Sequence, residues 1–95
     1  MDIKQKDDGK HGVFEGYDDE KLAGEMVYTW AGDQLFIIDH TDVADSYRGQ
    51  GIGRQLLDAV IDFARKKQLK IIPLCPYAKS VFDKHPELRD VLRDA

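Results

Sequence analysis

The sequence predicts an α/β domain in which helices pack on a small mixed sheet, and three observations carry that expectation. Residues 11–43 hold three strand-like segments separated by turn signals, residues 51–68 repeat apolar side chains at helical spacing, and a short strand-like run at 70–75 follows that helix. The resulting order, βββ-loop-α-β-α, gives an α/β layer of mixed sheet packed by helices.

Residues 1–10 are polar and charged, with Asp7-Asp8-Gly9 as a turn signal, and read as a flexible lead-in to a single domain over 11–95. In residues 11–17, Val13, Phe14 and Tyr17 mark a first strand, and Asp18-Asp19-Glu20-Lys21 a charged hairpin loop. Leu22, Gly24, Met26, Tyr28 and Trp30 alternate along a second strand that ends at Ala31-Gly32-Asp33. Leu35-Phe36-Ile37-Ile38 is continuously apolar, the pattern of a central strand buried on both faces, and it runs on through Asp39-His40-Thr41-Asp42-Val43. In 51–68 the broad apolar stripe is Ile52, Leu56, Leu57, Val60, Ile61, Phe63 and Ala64, with Arg54, Asp58, Asp62 and Arg65 mostly opposite. Arg65, Lys66 and Lys67 close the last turn, where cations suit the negative end of the helix dipole. In the strand at 70–75, Pro73 marks an edge or a break in pairing. A short helix over 77–84 points Val81 and Phe82 inward, and a final helical turn over 86–93 presents Leu88, Val91 and Leu92.

A chain of 95 residues with 42% hydrophobic and 34% charged residues is one ordinary globular domain. Its net charge of −4 argues against nucleic acid as a partner, because affinity for a phosphate backbone needs clustered Lys and Arg. The same balance suits a cationic substrate. The single cysteine, Cys75, allows no intramolecular disulfide and points to a reducing compartment. The N-terminus lacks the apolar run of a signal peptide, and nothing approaches the roughly 20 apolar residues of a membrane span. A cytoplasmic protein with no membrane partner is the expectation.

The chemistry is concentrated in Arg48-Gly49-Gln50-Gly51-Ile52-Gly53, directly before the long helix. Glycines let backbone N–H groups turn toward a ligand, and the helix start adds unpaired donors and the positive end of a dipole. Together they form a site for a phosphate or pyrophosphate. The segment lacks the Gly-Lys-Ser/Thr ending of a Walker A loop, and Arg54 stands where a dinucleotide fingerprint needs its third glycine. It does fit R-x-x-G-x-G, read as Arg48, Gly51 and Gly53.

That pattern resembles the pyrophosphate loop of the GCN5-related N-acetyltransferases, and the run from Val43 to Gly53 looks like that family's fourth strand and loop. Pro73-Leu74-Cys75-Pro76-Tyr77 and His85-Pro86-Glu87 are similar to the minimal, YjdJ-like group of very short acetyltransferases, so the resemblance covers residues 11–92. It implies an acetyltransferase that moves an acetyl group from acetyl-CoA, its co-substrate, to an amine of a small molecule or a protein, with no metal, as a monomer or weak homodimer. The backbone at Gly49, Gln50, Gly51, Ile52 and Gly53 would hold the CoA pyrophosphate, Val43 would pair with the pantetheine arm, and Arg48 and Arg54 would neutralise phosphate charge. Helices that the family places between its first two strands are absent, and with them one wall of the acceptor pocket.

Three side chains are candidates for the reaction. His40, just before Val43, is a candidate general base for the amine, or a histidine that pairs with a neighbouring strand or caps Thr41. Strand alternation sets it and Asp39 on opposite faces. Cys75 is a candidate acid for the leaving thiolate, a candidate nucleophile, or a small core residue. Tyr77 stands near the place of the family's tyrosine acid. Direct attack by the amine, with a backbone N–H stabilising the thioester oxyanion, is the expected route. The alternatives are an acyl-CoA-binding or sensing module without catalysis and a protein-interaction module.

Overall fold

A tight meander of four antiparallel strands builds most of the sheet. The computed structural model describes residues 1–93, so residues 94 and 95 of the expected domain lie outside the described residues. The chain runs through β1 (Asp2–Asp7), β2 (His11–Asp18), β3 (Lys21–Gly32) and β4 (Leu35–Val43). A 3₁₀ turn (Asp45–Tyr47) leads to α1 (Ile52–Lys67), β5 (Lys70–Pro73), α2 (Pro76–Lys84) and a second 3₁₀ segment (Pro86–Val91). The strand order is β1-β2-β3-β4-β5. Crossing through α1 brings β5 parallel to β4, from Leu35 opposite Lys70 to Ile38 opposite Pro73.

The expected lead-in is in fact β1, paired with β2 from Asp2 opposite Tyr17 to Asp7 opposite Gly12. Only Ile3 in this strand reaches the core, so no apolar alternation announces it. Its backbone pairing is reinforced by Asp7, whose carboxylate accepts the Tyr28 hydroxyl at 2.5 Å and the Trp30 indole N–H at 2.8 Å. Gln5 donates to the same Tyr28 hydroxyl at 2.8 Å. Burial, then the bond to Asp7, pushes the Tyr28 phenol well above its ordinary pKa.

The buried stripe of α1 (Ile52, Leu56, Leu57, Val60, Ile61 and Ala64) lies on Phe14, Met26, Tyr28, Phe36 and Ile38 from the sheet. Each fully buried leucine or phenylalanine contributes about 1.5–3 kcal/mol by leaving water. The helix ends at Gln68 in the left-handed conformation, whose N–H caps the carbonyls of Ala64 and Arg65. Helix α2 lies beside α1: Ala78, Val81 and Phe82 join the same core, and the Tyr77 ring rests against Gly53. Arg65 clamps the last segment to α1 through Asp90 at 2.6 Å and the Glu87 carbonyl at 3.2 Å. That segment is the expected helical turn, of 3₁₀ form, and Leu92 after it is bridged to Ile71 at the edge of β5.

Both helices therefore share one face, and the smallest dimension of the molecule is 20 Å, the thickness of two layers. This corrects the expectation for residues 35–38. Phe36 and Ile38 are fully buried under α1, while Leu35 and Ile37 are half-buried on a face that no helix among the described residues covers.

Candidate functional site

Strand β4 outruns its parallel neighbour. Pairing with β5 stops at Pro73, which has no N–H to donate, and a last link runs from the Cys75 N–H to the Ile38 carbonyl at 3.0 Å. The chain then turns into α2, while β4 continues to Val43 paired only with β3. Residues 39–43 thus present backbone donors and acceptors along an edge that β5 no longer covers.

At the end of that edge the glycine loop enters α1. Gly49 and Gly51 have φ of +80° and +76°, in the left-handed region that side-chain-bearing residues seldom adopt. Gly51 is the N-cap and supplies no side-chain acceptor, so the first-turn N–H groups of α1 point out beside the positive end of its dipole. A groove of about 390 Å³ joins the two features, lined by residues 41–43 of β4, by Tyr47, Arg48 and Gly49, by residues 51–53, and by Tyr77.

The chain matches the sequence profile of the GCN5-related N-acetyl-transferase family over residues 13–91. It belongs to that family. Among solved structures it is similar to a GCN5-like protein of Staphylococcus aureus, with 36% identity, a TM-score of 0.75, and coverage of 99% of this chain and 89% of that one. It is also similar to a GNAT family acetyltransferase of Elizabethkingia anophelis solved with acetyl-CoA bound, with 26% identity and a TM-score of 0.61 over 67% of this chain and 42% of that one. Human protein NATD1 is 33% identical over 61 residues, which is 64% of this chain and 54% of NATD1. The matched stretch thus spans about half the length of that relative. The mixed sheet packed by helices is the fold of these acetyltransferases.

Within this GCN5-related fold, Val43, Arg48, Gly49, Gly51, Ile52, Gly53 and Tyr77 meet at one groove, and two of the expected cofactor residues do not line it. Gln50 turns its side chain back to the Ser46 carbonyl at 3.4 Å. Arg54 leans along α1 to Asp58 at 2.9 Å and to His85 Nε2 at 3.4 Å; the bond to Asp58 raises its pKa further. Arg48 remains at the rim, paired with Asp45 at 3.0 Å and largely exposed.

The three reaction candidates divide differently. Tyr77 faces the groove, and partial burial raises its phenol above the ordinary value, with the Arg54 guanidinium opposing that rise. Cys75 is 2% exposed and sits behind the wall, its Sγ 3.2 Å from Thr41 Oγ1. Thr41 does line the groove, and sequence reasoning missed it. The signal was available, because alternation puts Thr41 on the face of Val43.

His40 stands elsewhere. Between the pairs Val27–His40 and Tyr28–Ile38, β4 carries one extra residue, Asp39. This bulge breaks the alternation. His40 lies opposite Val27, and Asp39 accepts the Thr29 hydroxyl at 2.5 Å. Val27 and Thr29 are two apart on one strand and share a face, so Asp39 and His40 both open on the uncovered face, contrary to the expectation that they part. Among the described residues, no helix is long and apolar enough to cross a membrane.

Proposed function

We propose that this chain is an acetyl-CoA-dependent N-acetyltransferase that acts by direct attack of an amine on the thioester. The observation that carries the reading is the junction of two left-handed glycines, the open N-terminus of α1 and the free edge of β4 around one groove. In this reading the backbone from Gly49 to Gly53 holds the pyrophosphate, with Arg48 at the rim. Val43 pairs with the pantetheine arm, and a β4 N–H stabilises charge on the thioester oxygen, a role worth about 3 kcal/mol in comparable sites. His40 takes the proton of the incoming amine from the uncovered side. Tyr77 and the Thr41 hydroxyl, backed by the Cys75 thiol, supply a proton to the departing thiolate.

Gly51→Val tests the cradle. Free space surrounds the position of its Cβ, but valine at φ +76° is strained. Acetyl-CoA is expected to raise the melting temperature of the wild type by mass action, and the variant is expected to lose that shift. A variant that binds as tightly as the wild type would remove the loop as the phosphate site. Intact-mass measurement after acetyl-CoA alone tests the route: direct attack leaves the protein unmodified, whereas stoichiometric acetylation of Cys75 replaces it with a two-step exchange. CoA release no faster with amines than without would make the chain a binding module.

A further inference from the structure

The uncovered face of the sheet carries an arrangement that folding alone disfavours. Glu15 of β2 stands directly opposite Glu25 of β3, and Glu25 directly opposite Asp42 of β4. The three carboxylates form one row across three strands, with neighbouring Cβ atoms about 5 Å apart, a spacing at which opposed like charges destabilise a sheet. One end of the row is relieved, since Lys6 pairs with Glu15 at 3.2 Å and the Tyr17 hydroxyl donates to the same carboxylate at 3.3 Å. Among the described residues, Glu25 and Asp42 have no ion pair and no side-chain hydrogen bond.

The row borders the candidate base. His40 is exposed on this face, and Asp42 follows it two residues along the same strand. Asp18, Asp19 and Glu20 extend the negative charge from the adjoining hairpin, at the end of the sheet where the glycine loop lies. Cations stand at the margins: Lys4 over the Tyr17 ring at 5.3 Å, Lys6 on the edge strand, and Lys21 in the hairpin. Behind the row, Val13, Val27 and Ile37 make a half-buried apolar strip.

Among the described residues no helix crosses this face, and the open hollow of about 430 Å³ that Val13 and Val27 share with Lys6, Asp7, Asp8 and His11 does not include His40, Glu25 or Asp42. A small amine is held by a concave site that surrounds most of its surface, and none is formed here by a second layer. No group of acidic, histidine or cysteine side chains among the described residues is placed to hold a metal ion. A strip of carboxylates beside apolar side chains complements a chain that carries several cations on long apolar stems.

We propose that this face docks a basic peptide segment, presenting its lysine amine to His40, so that the acceptor is a lysine flanked by arginine or lysine in another protein. This specifies the acceptor and rests on the acetyl-transfer reading above. Glu25 and Asp42 pair with the flanking cations, and Val27 and Ile37 take their aliphatic stems.

The test separates docking from chemistry. A fluorescent peptide with norleucine in place of the acceptor lysine cannot be acetylated at that position, and its anisotropy reports binding alone. With arginines flanking the norleucine it is expected to bind at least about tenfold tighter than with serines, and about 0.5 M salt should erase the difference. Glu25→Gln with Glu15→Gln, neither of which lines the cofactor groove, should weaken the arginine-flanked peptide about tenfold while leaving the acetyl-CoA thermal shift intact. Both substitutions relieve repulsion, so a melting temperature at or above that of the wild type shows that lost affinity is not unfolding. A double variant that binds the arginine-flanked peptide like the wild type overturns the proposal, as does equal affinity for the two peptides. Higher kcat/KM for a free polyamine than for the matching lysine peptide also overturns it. Carboxylate-dependent peptide binding without any acetyl transfer would leave the docking surface standing and overturn the reading of the reaction. Turnover of small amines without charge-dependent peptide binding would do the reverse.

Discussion

Under α1, the sheet positions Phe14, Met26, Tyr28, Phe36 and Ile38 are between 0% and 4% exposed. The rings of Phe14, Tyr28, Trp30, Phe36 and Phe63 stand 5.1–6.4 Å apart, in tilted and edge-on pairs. One residue away along the same strands, the other face carries Val13, Glu15, Glu25, Val27, Ile37 and Asp39, none of them fully buried. Side chains on the first face are chosen by packing, where a missing methylene is felt. Those on the second are free of that constraint, and they include like charges in register that packing would never select. A two-layer domain concentrates its stability on one face and leaves the other open to solvent.

The division makes opposite demands on substitutions at neighbouring positions. The largest expected effect lies on the open face: His40→Ala should lower turnover of a good amine by about 10²–10⁴-fold while leaving the melting temperature and acetyl-CoA binding unchanged. Steady-state kinetics beside thermal melts checks this, and a loss below about tenfold returns His40 to a surface residue. Next comes the covered face, where Phe36→Ala should cost about 3–5 kcal/mol in urea unfolding, because the cavity sits between Tyr28, Trp30 and Phe63.

Asp7→Ala is smaller and tests the clamp on β1. It removes the acceptor from the buried Tyr28 hydroxyl and from the Trp30 N–H, at about 1–3 kcal/mol. The bonds from Tyr28, Gly9 and Trp30 outweigh desolvation and hold the Asp7 carboxyl below its ordinary value of 3.8. Its contribution is therefore present above that value and lost as pH falls through the depressed one. Melts at neutral and acid pH should show the wild type losing this advantage over Asp7→Ala only in acid. Smallest is Glu25→Gln, which should raise stability by a few tenths of a kcal/mol by relieving repulsion from Glu15 and Asp42. A destabilised Glu25→Gln protein would mean that the row is held by attraction, and the contrast between the faces would weaken.

The glycine loop, α1 and the three long strands were legible because each rests on local rules: Gly49 and Gly51 answer to φ, and Ile52, Leu56, Val60 and Ala64 to helical spacing. Strand β1 was not, since it brings one apolar side chain and is recruited by the open edge of β2 and by Asp7. The bulge at Asp39 was also out of reach. One extra residue in β4 is a property of its register against β3, and it moves Asp39 onto the face of His40. The same holds for Arg54, whose partner His85 is 31 residues away.

Composition and spacing, read along the chain, were enough for a mixed sheet with helices and for a left-handed glycine loop before α1, because dihedral preference and amphipathic period act within a few residues. Which face of that sheet stays uncovered, where β4 parts from β5, and which carboxylates stand in register depend on contacts between segments far apart in sequence. Packing α1 and α2 on one face makes Phe36 and Ile37, adjacent in the chain, a core residue and a surface residue. Pairing of β2, β3 and β4 sets Glu15, Glu25 and Asp42 side by side, and only strand register can bring such charges together.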